Sequence, residues 1–153
     1  MKGIWLKRGI LSALLLVAMG ACSKVEERSS IPDYDVYIKT FGNDYITLRI
    51  AGNSLCYIPS ANTIYPTNTK LGYGGVVIYR DMEEKIHACD LACPVEASRN
   101  IRVDVKMPFA TCAVCGSKYD LTFGFAAPVE GPAKETLKKY NAIDNGSAII
   151  VSY

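Results

Sequence analysis

The 153-residue sequence contains a single histidine, His87. A hydrolytic triad needs a histidine oriented by an acid and placed beside a nucleophile, and no convincing acid or nucleophile partner for His87 can be picked out. The glycine-rich stretch 72–75 lacks the lysine and the following helix of a phosphate-binding loop. The chain also has no internal repeat and no long amphipathic helix. These absences favour an electron carrier or a binding module over a stand-alone enzyme.

The small positive net charge of the chain comes largely from its first residues. Lys2, Lys7 and Arg8 precede an apolar run at 10–19, which is too short to predict a transmembrane helix. Small residues follow and lead directly to Cys22. This order resembles a bacterial lipoprotein signal, which implies cleavage after residue 21 and lipidation of Cys22. The alternative is an ordinary signal peptide with an unrelated cysteine.

Removal of residues 1–21 would leave 132 residues, with 14 basic against 15 acidic side chains. No basic patch then remains to indicate nucleic-acid binding. Residues 22–31 are polar and charged and predict a tether, and 32–153 predict one β domain. The protein is expected to be exported and lipid-anchored to a bacterial membrane, with the outer membrane favoured, on its periplasmic face or at the cell surface.

Short runs of β-branched and aromatic residues, separated by turn residues, predict an all-β fold. Asn145-Gly146 predicts a tight hairpin turn near the C-terminus, and this is the clearest hairpin in the chain. Residues 124–132 are expected to be irregular, and 133–140 to form one or two helical turns. Strands are predicted at 36–38, 45–50, 55–58, 76–79, 85–88, 101–105, 118–123, 141–143 and 148–153. About ten short strands predict a small barrel or sandwich.

Four of the six cysteines fall in two short stretches. Cys89 and Cys93 are separated by three residues, and Cys112 and Cys115 by two. Such spacings are typical of a four-thiolate site for zinc or an iron–sulfur cluster. An exported domain also sits where disulfides persist, so disulfide bonding is an equal alternative. Cys56, on a predicted strand, is expected to be a buried apolar residue.

The residues around these cysteines resemble the Rieske family. The matching motifs are Leu91-Ala92-Cys93-Pro94, then Cys112-Ala-Val-Cys-Gly116-Ser117-Lys118-Tyr119-Asp120, then Gly131-Pro132-Ala133. The family's two boxes read, in generic form, Cys-Thr-His-Leu-Gly-Cys-Pro and Cys-Pro-Cys-His-Gly-Ser-x-Tyr-Asp. The layout also resembles short Rieske-like lipoproteins of Bacteroidota. The resemblance implies a Rieske-type β-sandwich or barrel with two cysteine-bearing loops and a C-terminal hairpin.

The chain departs from the family at both ligand histidines. Cys112 matches a ligand cysteine, but Cys115 stands where the second box has its histidine. In the first box Ala88 matches the ligand cysteine and Asp90 the histidine. Cys93 matches the disulfide cysteine, and its partner position is Val114. His87 is an ordinary strand residue in this interpretation, and also the first replacement ligand to test.

Two further positions of the family's second box are retained. In Rieske domains the serine and tyrosine that match Ser117 and Tyr119 donate hydrogen bonds to cluster sulfurs, and these two residues are therefore the expected cofactor-binding side chains. The alternative is that they only complete a turn and a strand.

The resemblance predicts a membrane-anchored Rieske-like domain that binds a 2Fe-2S cluster through thiolates and transfers electrons to an unidentified redox partner. The predicted metal ligands are Cys89, Cys93, Cys112 and Cys115. Four thiolates would lower the reduction potential relative to two histidines. The alternative is a Rieske-fold lipoprotein without a cluster, stabilised by zinc or disulfides, that acts as a structural or interaction module.

Overall fold

The computed structural model describes residues 29–60 and 62–153, and these form an all-β fold with one short helix. The elements in chain order are β1 Val36–Thr40, α1 Gly42–Leu48, β2 Ser54–Tyr57, β3 Lys70–Leu71, β4 Val76–Arg80, β5 Ile86–Asp90, β6 Val103–Lys106, β7 Phe109–Cys112, β8 Lys118–Asp120, β9 Ala127–Glu130, β10 Lys139–Asp144 and β11 Ile149–Ser152. The predicted all-β class is confirmed.

The strands form two antiparallel sheets. The larger sheet is barrel-like and has the order β2-β4-β5-β10-β11-β1-β3, and the smaller has the order β6-β7-β8-β9. The predicted C-terminal hairpin is confirmed, because β10 pairs with β11 from Asn141 opposite Ser152 to Asp144 opposite Ile149. The Asn145 side chain accepts hydrogen bonds from the backbone N–H groups of Ser147 and Ala148 and closes this turn.

β4 and β5 separate two hydrophobic clusters. Successive side chains of a strand point to opposite faces, so Val77 and Tyr79 pack in one cluster while Val76 and Ile78 pack in the other. Each of these four side chains is fully buried, which confirms β4 as a central strand. On β5, Cys89 faces the cluster that contains Cys93 and Cys112, and Ala88 faces the other.

The predicted strand at 45–50 is wrong, because Gly42–Leu48 is a helix. The β-branched and aromatic residues favour a strand locally, but tertiary contacts override that preference. Leu48 is buried in the hydrophobic cluster that contains Val76 and Ile78. The Tyr45 hydroxyl donates to Asp144 at 3.1 Å, and the Tyr57 hydroxyl donates to Asp44, in the first helical turn, at 2.8 Å.

The expected irregular segment at 124–132 contains a strand, and the expected helical turns at 133–140 are absent from the structure. Pro128 lies in β9, which is an edge strand where a missing N–H is tolerated. After β9 the chain does not form a helix, because its backbone groups are hydrogen-bonded to other segments. The Leu137 N–H donates to Ala126 O, and Lys138 O accepts from the Asp90 N–H.

Candidate metal site

Two short connections bring three cysteines together. Cys93 follows β5, where its N–H donates to Ile101 O at 3.0 Å and its carbonyl accepts from the Ala97 N–H at 2.9 Å. Cys112 ends β7, and Cys115 lies in the turn that leads to β8. That turn is closed by the Gly116 N–H, which donates to Cys112 O at 3.0 Å. Both predicted cysteine-bearing loops are therefore present, and their sulfur atoms converge.

The Sγ atoms of Cys93, Cys112 and Cys115 all lie within 4.8 Å of one another. Cys93 Sγ and Cys115 Sγ are 3.6 Å apart. Cys93 and Cys112 are fully buried, whereas Cys115 is partly exposed. Two sulfurs bound to one tetrahedral zinc at about 2.3 Å lie about 3.8 Å apart. The three thiols therefore form a group that could hold one metal ion.

The predicted second-box residues contact this group. Ser117 Oγ lies 3.2 Å from Cys115 Sγ and accepts a hydrogen bond from the Ala133 N–H at 3.1 Å. The Tyr119 hydroxyl oxygen lies 3.9 Å from Cys93 Sγ. Both side chains are fully buried. A hydroxyl placed in this way can donate to a thiolate and stabilise its negative charge.

The environment gives the cysteines different acidities. Burial raises the pKa of the Cys93 thiol to about 11. Burial also acts to raise the pKa of Cys115, but hydrogen bonds from the Ser117 side chain and backbone and from the other two thiols outweigh it and lower that pKa. Burial, followed by the charge of Cys93, raises the pKa of Tyr119 above its ordinary value, so this phenol stays a proton donor.

Cys89, the fourth predicted ligand, is not part of this group of three. It lies within β5 and is fully buried, and burial raises the pKa of its thiol to about 12. The hydroxyl of Tyr79 lies beside the Cys89 thiol without reaching hydrogen-bond geometry. In the described part of the chain, Cys89 is thus placed as a core residue next to a tyrosine.

Asp90 is fully buried and its carboxylate is hydrogen-bonded on both oxygens. It accepts from the backbone N–H groups of Tyr73, Gly74 and Ala92 at 2.9, 3.0 and 2.7 Å, and from the Tyr140 hydroxyl at 2.6 Å. These bonds connect the glycine-rich loop at 72–75 to the end of β5 and to the segment that leads to Cys93. The donors are scattered along the chain, at separations of 2 to 50 residues, so no local sequence pattern indicates this role.

A 2Fe-2S cluster would need one protein ligand more than this group supplies. A 2Fe-2S centre needs two protein ligands on each iron, whereas the structure collects three thiols around one point. At the positions that match the first family box, Ala88 has no donor atom and Asp90 is already hydrogen-bonded by four groups. A single ion fits the three thiols without requiring either residue.

His87 also lies away from the cysteine group. Its Nε2 is 2.7 Å from Asp81 Oδ2, and its ring packs against Tyr79 with 5.4 Å between centroids. Burial acts to raise the pKa of Asp81, but hydrogen bonds from the Lys85 N–H and from His87 outweigh it and lower that pKa. A Cβ at Gly124 would lie 2.2 Å from the His87 ring. His87 therefore belongs to a packed Asp–His pair.

The sequence offered one signal of this pair. Asp81 begins the charged turn between β4 and β5, and its Oδ1 accepts from the Glu83 and Lys85 N–H groups, each at 2.9 Å. An aspartate that caps its own turn is a recognised turn feature, but its contact with a histidine six residues later depends on the hairpin geometry.

Cys56 was expected to be buried, and this prediction is wrong. The residue is exposed on the edge strand β2.

The predicted signal at 1–21 and the lipidation site Cys22 lie outside the described residues. Among the residues that the structure describes, no helix is long and apolar enough to cross a membrane. Ile31, at the end of the predicted tether, is buried, and its carbonyl accepts from Lys138 Nζ at 3.1 Å. Ile31 is thus packed against the β domain.

Solved structures with a similar fold are known, whereas the sequence comparisons find no match. No protein-family model and no curated protein sequence matches the chain. The fold is similar to a crystal structure described as "putative NADH-dependent nitrite reductase small subunit from Mycobacterium tuberculosis", with 13% sequence identity and a TM-score of 0.44. The similarity covers 79% of this chain and 97% of that one.

Proposed function

We propose that this chain is a Rieske-like β domain whose Cys93, Cys112 and Cys115 bind a single thiophilic metal ion, with zinc as the ion that fits best. The observation that carries the proposal is the convergence of three sulfur atoms within 4.8 Å. The Rieske-like order of motifs around these cysteines supports the family assignment. Thiolates are the ligands that zinc accepts in structural sites.

The metal would link the Cys93 loop of the larger sheet to the β7–β8 turn of the smaller one. Three protein ligands leave the fourth position of a tetrahedral ion to water or to another small ligand. Because the ion would join loops of the two sheets, the domain would be a metal-stabilised structural or interaction module. Electron transfer through a 2Fe-2S cluster, which the resemblance implies, is not proposed, since the ligands of a second iron are missing from this arrangement.

Metal content of the purified, reduced protein tests this function. We expect about one zinc per chain for the original sequence and for Cys56→Ser, because Cys56 is exposed and outside the cluster. Cys112→Ser should lose the bound zinc. Cys89→Ala should keep it, because Cys89 is not part of the group of three thiols. Binding that depends on Cys89, or a protein with iron and strong visible absorption, would contradict the proposal.

We further propose that the mature protein is attached to a bacterial membrane through lipidated Cys22. The order of basic residues, apolar run and small residues before Cys22 supports this proposal. In bacterial cells, the protein should fractionate with membranes, and Cys22→Ser should release it to the soluble fraction. Equal membrane association of both proteins, with no lipid mass on the N-terminal peptide, would contradict the anchor.

A further inference from the structure

The contact between Cys93 and Cys115 joins two loops that are far apart in sequence. Their Sγ atoms are 3.6 Å apart across a separation of 22 residues. A disulfide has a sulfur–sulfur distance of about 2.05 Å, so bond formation needs an approach of roughly 1.5 Å. An added Cβ at Gly116, which follows Cys115, would meet no atom within 4 Å, so the turn is open on that side.

We propose that Cys93 and Cys115 form a reversible disulfide that removes two of the three ligands from the metal site. The inference rests on the proposed function for its consequence, whereas the bond itself can be examined without metal. A Cys93–Cys115 bond leaves Cys112 as the one remaining thiol of the group. A lone buried thiol cannot hold the ion, so the oxidised protein would release it.

The direct contact between the two sulfurs favours this pair over Cys112 with Cys115. Cys115 is the partly exposed thiol of the group, so an external oxidant meets it first. Cys93 is then in contact with it at 3.6 Å. A bond that closes the longer loop also constrains the unfolded chain more than a bond across two intervening residues, and so stabilises the fold more against unfolding.

The reaction is a thiol–disulfide exchange with a disulfide-bearing donor, the usual oxidant class of exported proteins. The Cys115 thiolate attacks one donor sulfur, the donor S–S bond breaks, and one donor thiolate leaves. The Cys93 thiolate then attacks Cys115 Sγ in the mixed disulfide and releases the second donor thiolate. The donor gains two electrons and, as two thiols, the two protons that Cys93 and Cys115 have lost.

Equilibration of the metal-free protein in glutathione buffers of increasing oxidised fraction tests the bond. Peptide mapping without reduction should show Cys93 joined to Cys115, and reduction should reverse it. Zn²⁺ binding, measured by competition with a chromophoric chelator, should be at least tenfold weaker after oxidation and should recover on reduction. Cys112→Ser should lose zinc binding but still form the bond, while Cys93→Ser should not form it.

The outcomes separate the two proposals. A Cys112–Cys115 bond, no bond at all, or an oxidised protein that retains its zinc would overturn the switch. A reduced protein that binds no Zn²⁺ while Cys93 and Cys115 still pair would contradict the metal site and support the disulfide. Cys56→Ser serves as the control for mixed disulfides at the exposed thiol, and its behaviour should match the original sequence.

Discussion

The Ser117 hydroxyl contacts two groups that belong to different segments. It lies 3.2 Å from Cys115 Sγ and accepts from the Ala133 N–H at 3.1 Å. Because the residue is fully buried, no solvent can replace either contact when the hydroxyl is removed. Ser117 is thus the side chain that connects the segment after β9 to the group of three cysteines.

Ser117→Ala should therefore weaken zinc binding without abolishing it. Loss of one hydrogen bond to a charged group costs about 1.5 kcal/mol, or roughly tenfold in affinity. Chelator competition measures this change. Ser147→Ala is the matched control, because its exposed hydroxyl contacts only Asn145 in the hairpin turn. Equal zinc affinity of the two variants would contradict the role assigned to Ser117.

Asp144 predicts a defined dependence of stability on pH. Burial acts to raise its pKa, but the Gly146 N–H, the Arg80 guanidinium and the Tyr45 hydroxyl outweigh it and lower the pKa. Since the pKa is lower in the folded than in the unfolded state, the charged carboxylate stabilises the fold. That contribution is complete above the unfolded pKa and is lost as pH falls through the folded one.

Asp144→Asn should accordingly lower the free energy of unfolding by about 2 kcal/mol near neutral pH. The difference from the original sequence should begin to shrink below about pH 4, where the carboxyl of the unfolded chain becomes protonated, and should vanish below the lowered pKa of the folded state. Urea titrations across pH measure both values. Asp35→Asn is the control, because its pair with Lys70 is exposed and worth little. A difference that grows as pH falls would contradict the account.

At the scale of elements, the loop before β4 is held by close packing against β5. A Cβ at Gly74 would lie 2.6 Å from the Ala92 backbone nitrogen and 2.8 Å from Asp90 Oδ1. The side chain of Arg102 also donates to the Gly74 carbonyl. A methyl group at this position would push the glycine-rich loop away from the segment that leads to Cys93.

Gly74→Ala should destabilise the domain by about 3 kcal/mol through this overlap. Gly146→Ala provides the contrast, because Gly146 has a φ of 86° and no atom within 4 Å of an added Cβ. Its cost is conformational and amounts to about 1 kcal/mol. Chemical denaturation compares the two variants, and equal losses would show that the Gly74 contact with β5 is not tight.

The sequence predicted those elements whose local signals agree with their tertiary surroundings. β4 is apolar on both faces and is buried on both, and the Asn145-Gly146 turn forms the expected hairpin. Helix α1 could not be predicted, because Tyr45, Ile46 and Thr47 favour a strand locally. Distant partners of Tyr45 and Leu48 hold the segment in a helix. Strand β9 could not be predicted for a related reason. It contains Pro128, and a proline is tolerated in this strand because the strand lies at the edge of its sheet.

The site was predicted in part. The spacing of Cys112 and Cys115 and the order of the motifs indicated two loops that meet, and the structure brings three of the four cysteines together. The place of Cys89 depends on where β5 ends, and strand ends are poorly determined by local sequence. A strand that continues to Asp90 keeps Cys89 in the hydrophobic core.

At the scale of the whole molecule, metal binding should stabilise the fold, because the ion joins loops of the two sheets. At a free Zn²⁺ concentration 100 times the dissociation constant, the gain is about 2.7 kcal/mol. This corresponds to a rise in Tm of roughly 10 °C for a domain of this size. Calorimetry should show the rise for the original sequence and none for Cys112→Ser, and an equal rise in both would contradict the site.

The most direct measurement of the central claim is X-ray absorption spectroscopy of the reduced protein after loading with Zn²⁺. The account predicts one zinc per chain, with three sulfur ligands at about 2.3 Å and one lighter ligand. Cys89→Ala should give the same spectrum, and Cys112→Ser should lose it. Four sulfur ligands that include Cys89, or reconstitution with two irons per chain, would contradict a three-thiolate site for a single ion.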